Sequence, residues 1–210
     1  GLPILGLASR MGVQVMMDFY TYMALAGASF QVRAGTITTP LVGDVVLTDT
    51  AAEYCVDAPV GMTIIPVYNN ISLRLNVALA NEFAIKSVAV VSSAGTAFVP
   101  LPLKTVGPQL AATPSASAVT ARVTAAGGVT VTTEAATTTR RHWSYSQPTG
   151  NTTAGTNLGI YNGIVPDWAP RMPPVLAGPA CCYVQIAAAA TGPSYYANMD
   201  WIEAPSSTLL

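Results

Sequence analysis

Apolar and polar residues alternate along much of this chain, a pattern typical of β-strands with one buried face. The alternation is clearest over 71–77, where Ile, Leu and Val occupy every second position, and the longest strand candidate is 83–91. Shorter stretches with the same pattern, or with a short apolar run between turn residues, occur along the rest of the chain. We predict strands over 30–34, 45–47, 54–56, 62–68, 71–77, 83–91, 119–124, 129–133, 182–186 and 195–203.

Turn-forming residues separate these strands. Asn69-Asn70 predicts a turn between two of them, and Gly127-Gly128 predicts the tip of a hairpin. Two longer connections, 100–114 and 147–172, are rich in Pro, Gly, Ala and Thr. Tight turns combined with long crossing loops favour one all-β domain over residues 1–210, a single jelly-roll β-sandwich of about eight strands.

The N-terminal segment, residues 1–27, does not follow this pattern. Over 12–27 the apolar residues fit one face of a helix, but they also alternate in part as in a strand. Helix and strand therefore both stay open here, and the segment is helical or arm-like.

Charge is scarce, with nine Lys and Arg and ten Asp and Glu among 210 residues. Soluble domains average about a quarter charged residues, and charge is depleted at the centre of protein interfaces. We therefore expect a surface that meets other subunits. The one adjacent basic pair, Arg140-Arg141, is too small for a phosphate-binding footprint, so direct nucleic-acid binding is not expected unless a basic arm is missing from the sequence. We also predict no transmembrane segment and find no signal-peptide pattern.

Three cysteines carry little information on their own. Cys181 and Cys182 are adjacent and face opposite sides of a strand, so they cannot easily bond each other. Cys55 could pair with one of them, but buried free thiols are the expected state. No Cys and His spacing indicates a metal site.

Catalytic chemistry depends on the single histidine, His142. Ser144 and Ser146 lie near it in sequence, and Glu134 or Asp167 could orient it. No nucleophile elbow accompanies these residues, so we expect a protein that is not an enzyme and has no cofactor.

Four acidic residues crowd into one short stretch, at Asp44, Asp49, Glu53 and Asp57. Carboxylate oxygens are the donors that Ca²⁺ prefers. The candidate metal ligands are therefore Asp44, Asp49 and Asp57, for a calcium ion at a subunit interface.

Aromatic side chains gather around the second long connection, at Trp143, Tyr145, Tyr161 and Trp168. Aromatic and Arg side chains are frequent anchors of protein interfaces. We predict subunit contacts at Trp143, Trp168 and Arg171. Contact between these flat rings and a glycan is the alternative.

In style the chain resembles viral capsid proteins with a single jelly roll. The resemblance includes the segment 57–66, DAPVGMTIIP, and the closing segment 194–203, SYYANMDWIE, together with low charge and Pro- and Thr-rich loops. It implies a virion structural protein that self-assembles into an icosahedral shell, with itself and other capsid proteins as partners. Many RNA-holding capsid proteins carry a basic N-terminal arm, which this chain lacks. The alternative function is a secreted or surface-displayed β-sandwich that binds carbohydrate.

Overall fold

The computed structural model describes residues 7–8, 14–15, 18–36, 38–48, 50–75, 80–104, 116–123, 128–132, 137–146, 167–188 and 192–209. Over these residues the protein is all-β, as the sequence predicts. The strands are β1 Leu7–Ala8, β2 Gln14–Val15, β3 Ser29–Ala34, β4 Leu41–Val42, β5 Ala51–Ala52, β6 Tyr54–Ala58, β7 Met62–Leu75, β8 Ala80–Val88, β9 Ser93–Ala94, β10 Thr96–Phe98, β11 Leu101–Pro102, β12 Thr120–Val123, β13 Val129–Thr130, β14 Thr137–Ser146, β15 Asp167–Trp168, β16 Leu176–Ala177, β17 Ala180–Ala188 and β18 Ser194–Pro205. The helices are α1 Phe19–Ala26 and α2 Ser206–Leu209.

Two large antiparallel sheets form a sandwich. The six-stranded sheet has the order β10-β12-β6-β17-β8-β14, and the seven-stranded sheet has the order β11-β3-β18-β7-β15, with β16 beside β7 and β4 beside β18. The main strands pair in a nested way. The first, β3, pairs with the last, β18; β6 pairs with β17; β7 pairs with β15 and β16; and β8 pairs with β14.

One hydrophobic core lies between the two sheets. Alternate residues of β17 and β18 point into it, including Val184 and Ile186 from the first strand and Met199 and Trp201 from the second. The Trp201 ring stacks on Phe30, with 6.2 Å between ring centroids. Because large apolar side chains from both sheets interdigitate here, the sandwich holds together without a disulfide between described residues.

A small third sheet covers the other side of the six-stranded sheet. It consists of β5, β13 and β9. With the outward-facing residues of β6, β8 and β17 it forms a second apolar cluster, made of Ala52, Cys55, Val88, Val129, Val131, Cys181 and Tyr183. All nine residues of β17 are therefore buried, whereas Tyr196, Asn198 and Asp200 on β18 are only half-buried.

Three sequence predictions about turns and strands are wrong. Asn69-Asn70 is not a turn, because β7 runs without a break from Met62 to Leu75. Asn69 is buried there, and its Oδ1 accepts a 2.6 Å hydrogen bond from the Tyr54 hydroxyl, which satisfies that oxygen inside the core. No hairpin joins 119–124 to 129–133, because β12 pairs with β6 and β10 while β13 lies in the third sheet. No strand forms over 45–47.

The N-terminal segment contains both kinds of structure left open by its sequence. Gln14–Val15 is a short strand, and Phe19–Ala26 is a helix. Asp18 caps the helix by accepting a 3.0 Å hydrogen bond from the Thr21 N–H, and Gly27 ends it in the left-handed conformation, with φ 80°. In the described part of the chain, neither helix has the length and apolar character needed to cross a membrane.

Candidate functional site

The densest group of reactive side chains lies on the outer face of the six-stranded sheet, under the third sheet. Cys55 and Asp57 are two residues apart on β6, so they share one face, and Cys181 on β17 lies directly opposite Asp57. One donor atom from each of the three lies within 4.8 Å of the other two, and all three residues are buried. We call these residues the Cys-Asp-Cys cluster.

Asp57 is held in place by a ring of donors. The Ser92 hydroxyl donates to its Oδ2 at 2.6 Å, and the Ser92 N–H donates to its Oδ1 at 2.8 Å. Arg122 approaches Oδ2 with its Nε at 3.4 Å and is fixed from the other side by the Ala94 carbonyl oxygen, at 3.2 Å from an Nη atom. Such contacts give a buried carboxylate the hydrogen bonds and the ion pair that replace its contacts with water.

The thiols of this region are hard to ionise. Burial raises the pKa of Cys181 well above its ordinary value, and the neighbouring Cys55 and Asp57 raise it further. Burial raises the pKa of Cys182, on the inner face of the same strand, to about 12, although the charge of Arg140 opposes the shift. At neutral pH both thiols therefore carry their protons, and neither is a free nucleophile.

A second buried polar group joins the sandwich core to a surface loop. The Glu53 carboxylate accepts a 3.3 Å hydrogen bond from the Tyr195 hydroxyl and a 3.1 Å hydrogen bond from the Asp44 N–H. Burial, together with the nearby Glu53 charge, raises the pKa of Tyr195 well above its usual range. These contacts anchor the 43–48 loop to the sandwich, which is a structural role.

Asp44 and Asp57, two of the residues predicted to bind calcium, lie beside opposite ends of β17, at Ala187 and Cys181. Asp44 is exposed, and burial of part of its side chain raises its pKa. Asp49 lies outside the described residues. Asp57 belongs to the Cys-Asp-Cys cluster, which is the only group of three metal-type donors among the residues searched. Two of its three donors are sulfur, which a hard cation such as Ca²⁺ avoids.

The three residues predicted as subunit contacts have different surroundings. Trp168 is only 8% exposed and belongs to the core of its own subunit, so it offers little surface to a neighbour. Trp143 is half-buried on the edge strand β14, packs against the core and carries the Arg141 guanidinium 5.3 Å from its ring centroid. Arg171 is exposed.

The residues considered for catalysis do not form a recognisable site. His142 and Ser144 are exposed on β14 of the six-stranded sheet, whereas Asp167 is on β15 of the seven-stranded sheet. Ser146 also lies on β14, with nothing described of its side chain, and Glu134 lies outside the described residues.

The sequence analysis did not predict which large apolar side chains are exposed on the surface. Three of them are more than three-quarters exposed, namely Val60 at 77%, Val99 at 81% and Met172 at 89%. The others are Tyr20, Leu25, Val42, Val45, Val46, Val90, Val91, Leu101, Leu103 and Val175. Sequence periodicity could not find these, because most of them lie in connections rather than in long strands.

The Cys-Asp-Cys cluster was not predicted either, although the sequence does indicate that two of its three residues lie close together. The spacing of Cys55 and Asp57 places them on one face of a strand. The contribution of Cys181 depends on the pairing register of β6 and β17, which the sequence does not show.

Comparison with known proteins adds no assignment: no protein-family model, curated protein or solved structure matches this chain.

Proposed function

We propose that this chain is a virion structural protein, a jelly-roll capsid subunit that assembles with copies of itself into a closed icosahedral shell. The observation that carries the proposal is the nested pairing of the main strands. β3 pairs with β18, β6 with β17, β7 with β15 and β16, and β8 with β14. That nesting is expected when one long antiparallel hairpin wraps into two facing sheets, as in the jelly rolls of viral capsid proteins. Lectin domains and cupins share the jelly-roll architecture. The properties of the protein surface are therefore needed to choose among these classes.

The surface favours assembly. Only 9% of the residues are charged, and exposed apolar side chains occupy the loops. Met172 lies in the connection between β15 and β16, two strands that both pair with β7, and Val60 lies in the turn just before β7. Arg171 is exposed on the same connection as Met172. Exposed apolar and Arg side chains of this kind suit burial against a neighbouring subunit.

Carbohydrate binding is supported less well by the described aromatic residues. A sugar-binding platform needs flat rings open to solvent, but Trp168 is buried in the core and Trp143 is half-buried against it. Tyr161 lies outside the described residues, as does the side chain of Tyr145. A tryptophan-fluorescence titration with a panel of simple sugars tests this alternative directly, and a saturable change would favour it.

The assembly proposal is tested at one exposed position with two matched substitutions. Met172→Glu places a charge at the proposed contact, whereas Met172→Leu keeps the position apolar. We expect closed particles from the parent protein and from Met172→Leu by electron microscopy and sedimentation. Met172→Glu should need at least a tenfold higher protein concentration to assemble, which corresponds to about 1.4 kcal/mol per contact.

Both variants should unfold within about 0.5 kcal/mol of the parent protein, because the side chain makes little contact within its own subunit. Dispersed monomers from the parent protein, at concentrations where shells normally form, would contradict the proposal. Equal particle yield from both variants would remove Met172 from the contact.

A further inference from the structure

We propose that Cys55, Asp57 and Cys181 form a binding site for a thiophilic divalent metal ion, with zinc as the natural occupant. The inference does not depend on the function proposed above. It rests on the separation of the three donors, on the strand register that produces this separation and on the charges around them.

The spacing of the donors fits a tetrahedral ion. Zn–S bonds of about 2.3 Å place neighbouring sulfur ligands about 3.8 Å apart. The Cys55 Sγ and the Asp57 Oδ2 are 3.9 Å apart, and all three donor atoms lie within 4.8 Å of one another. Small side-chain rotations are therefore enough to bring them around one ion.

The strand register favours an ion over a disulfide. Cys55 lies opposite Tyr183, and Cys181 lies opposite Asp57, so the two cysteines are diagonal neighbours on adjacent strands. Diagonal positions are about 7–8 Å apart, which is longer than the separation of about 4.4–6.8 Å between α-carbons that a disulfide requires. An ion between two sulfurs spans the longer distance.

The surroundings balance the charge of such a site. Two thiolates and the Asp57 carboxylate carry three negative charges, and Arg122 with a divalent ion carries three positive charges, so the group is neutral. Ser92 and Arg122 already hold the carboxylate in position, as outer-shell partners do in known metal sites. Two sulfur donors select zinc over calcium or magnesium.

Binding of the ion displaces protons. One Zn²⁺ replaces the protons of the Cys55 and Cys181 thiols, two H⁺ are released, and no oxidant is consumed. A water molecule would supply the fourth ligand, because the Ser92 hydroxyl is engaged with the Asp57 carboxylate. The ion would then join β6 to β17, beneath the third sheet.

Because the third sheet covers the cluster, the metal is best loaded during folding. The full chain is refolded from denaturant with zinc or with cobalt, passed through a desalting column and analysed for bound metal. We expect close to one ion per chain. With cobalt we expect the thiolate-to-metal absorption and the visible bands of a tetrahedral site.

Neighbouring cysteines provide the matched control. Cys181→Ser should lose the bound ion, whereas Cys182→Ser, one residue away on the opposite face of β17, should keep it. Cys182→Ala is the second control if the serine variant does not fold. A chelator should lower the melting temperature of the parent protein and of the Cys182 variant but leave that of Cys181→Ser unchanged.

Three results would overturn the proposal. The first is a folded parent protein that retains no metal after refolding with zinc. The second is metal that stays bound in Cys181→Ser. The third is a disulfide between Cys55 and Cys181 in protein refolded without reductant, seen as a cross-linked peptide by mass spectrometry. None of these outcomes bears on shell assembly, which is tested separately at Met172.

Discussion

The two large sheets differ in what covers their outer faces. The six-stranded sheet is covered by the third sheet, so both faces of β17 are buried. No further sheet covers the seven-stranded sheet among the described residues, although α1 contacts β3 and β18. Outward side chains of β18 such as Tyr196 and Asp200 are half-buried. The same substitution is therefore expected to change stability by different amounts in the two sheets. Matched residues on β17 and β18 can measure this difference.

The largest difference is expected between two tyrosines. Tyr183 on β17 and Tyr196 on β18 both face outward, but Tyr183 is fully buried. Tyr183→Ala should lower the free energy of unfolding by about 3–5 kcal/mol, because it leaves a cavity under the third sheet. Tyr196→Ala should cost about 1 kcal/mol. Urea unfolding of both variants checks this, and equal losses would mean that the third sheet does not pack as described.

A smaller loss of stability is expected from substituting Asp57, which lies on the covered outer face of the six-stranded sheet. Asp57→Asn replaces an acceptor by an amide against the Ser92 hydroxyl, the Ser92 N–H and Arg122. In the presence of a chelator it should cost about 1–3 kcal/mol, because buried donors lose their charged partner. A double-mutant cycle with Arg122→Ala isolates the ion pair. Additive losses would show that Asp57 and Arg122 do not interact.

The smallest effect concerns pH. Burial raises the pKa of Asp200, although hydrogen bonds from Gln31 and Asn198 and the charge of Arg33 oppose the shift. The folded state therefore holds this proton more tightly than the unfolded chain, so stability falls as the pH rises through this range. Asp200→Asn should be slightly more stable than the parent at pH 7, by a few tenths of a kcal/mol, and lose this advantage below the unfolded pKa. Thermal unfolding of Asp200→Asn and of the parent protein, at pH 7 and at a pH below the unfolded pKa of aspartate, measures this difference. A variant less stable than the parent at pH 7 would contradict the raised pKa.

The sequence predicted the inner strands of both large sheets, with a wrong turn inside β7, but none of the edge strands β10, β14, β11 and β15. Strands β3 and β18 each have one half-exposed face, so their alternation is visible in the residues. β17 was predicted only over 182–186, from a short apolar run. Such a run does not indicate which strands pair with it. β14 was missed because its Thr- and Arg-rich start has no apolar alternation.

The third sheet could not be predicted as a sheet from local patterns, although the predicted strand over 129–133 contains β13. Its strands are two residues long and consist of Ala, Ser, Val and Thr, so they have no measurable period. Their position is set by pairing across distant parts of the chain, such as Val129 with both Ala52 and Ala94. The same is true of the Cys-Asp-Cys cluster, since Cys181 reaches it only through the register of β17.

The nested pairing also decides when the chain can fold during synthesis. β18 is made last, yet it lies in the middle of the seven-stranded sheet, between β3 and β7. Until β18 leaves the ribosome, both of its neighbours have an unpaired edge and the aromatic core lacks Trp201. Contacts this distant in sequence also slow folding. A growing chain therefore cannot complete the seven-stranded sheet early, and a chain stopped before residue 194 would keep two open strand edges where the finished protein has none.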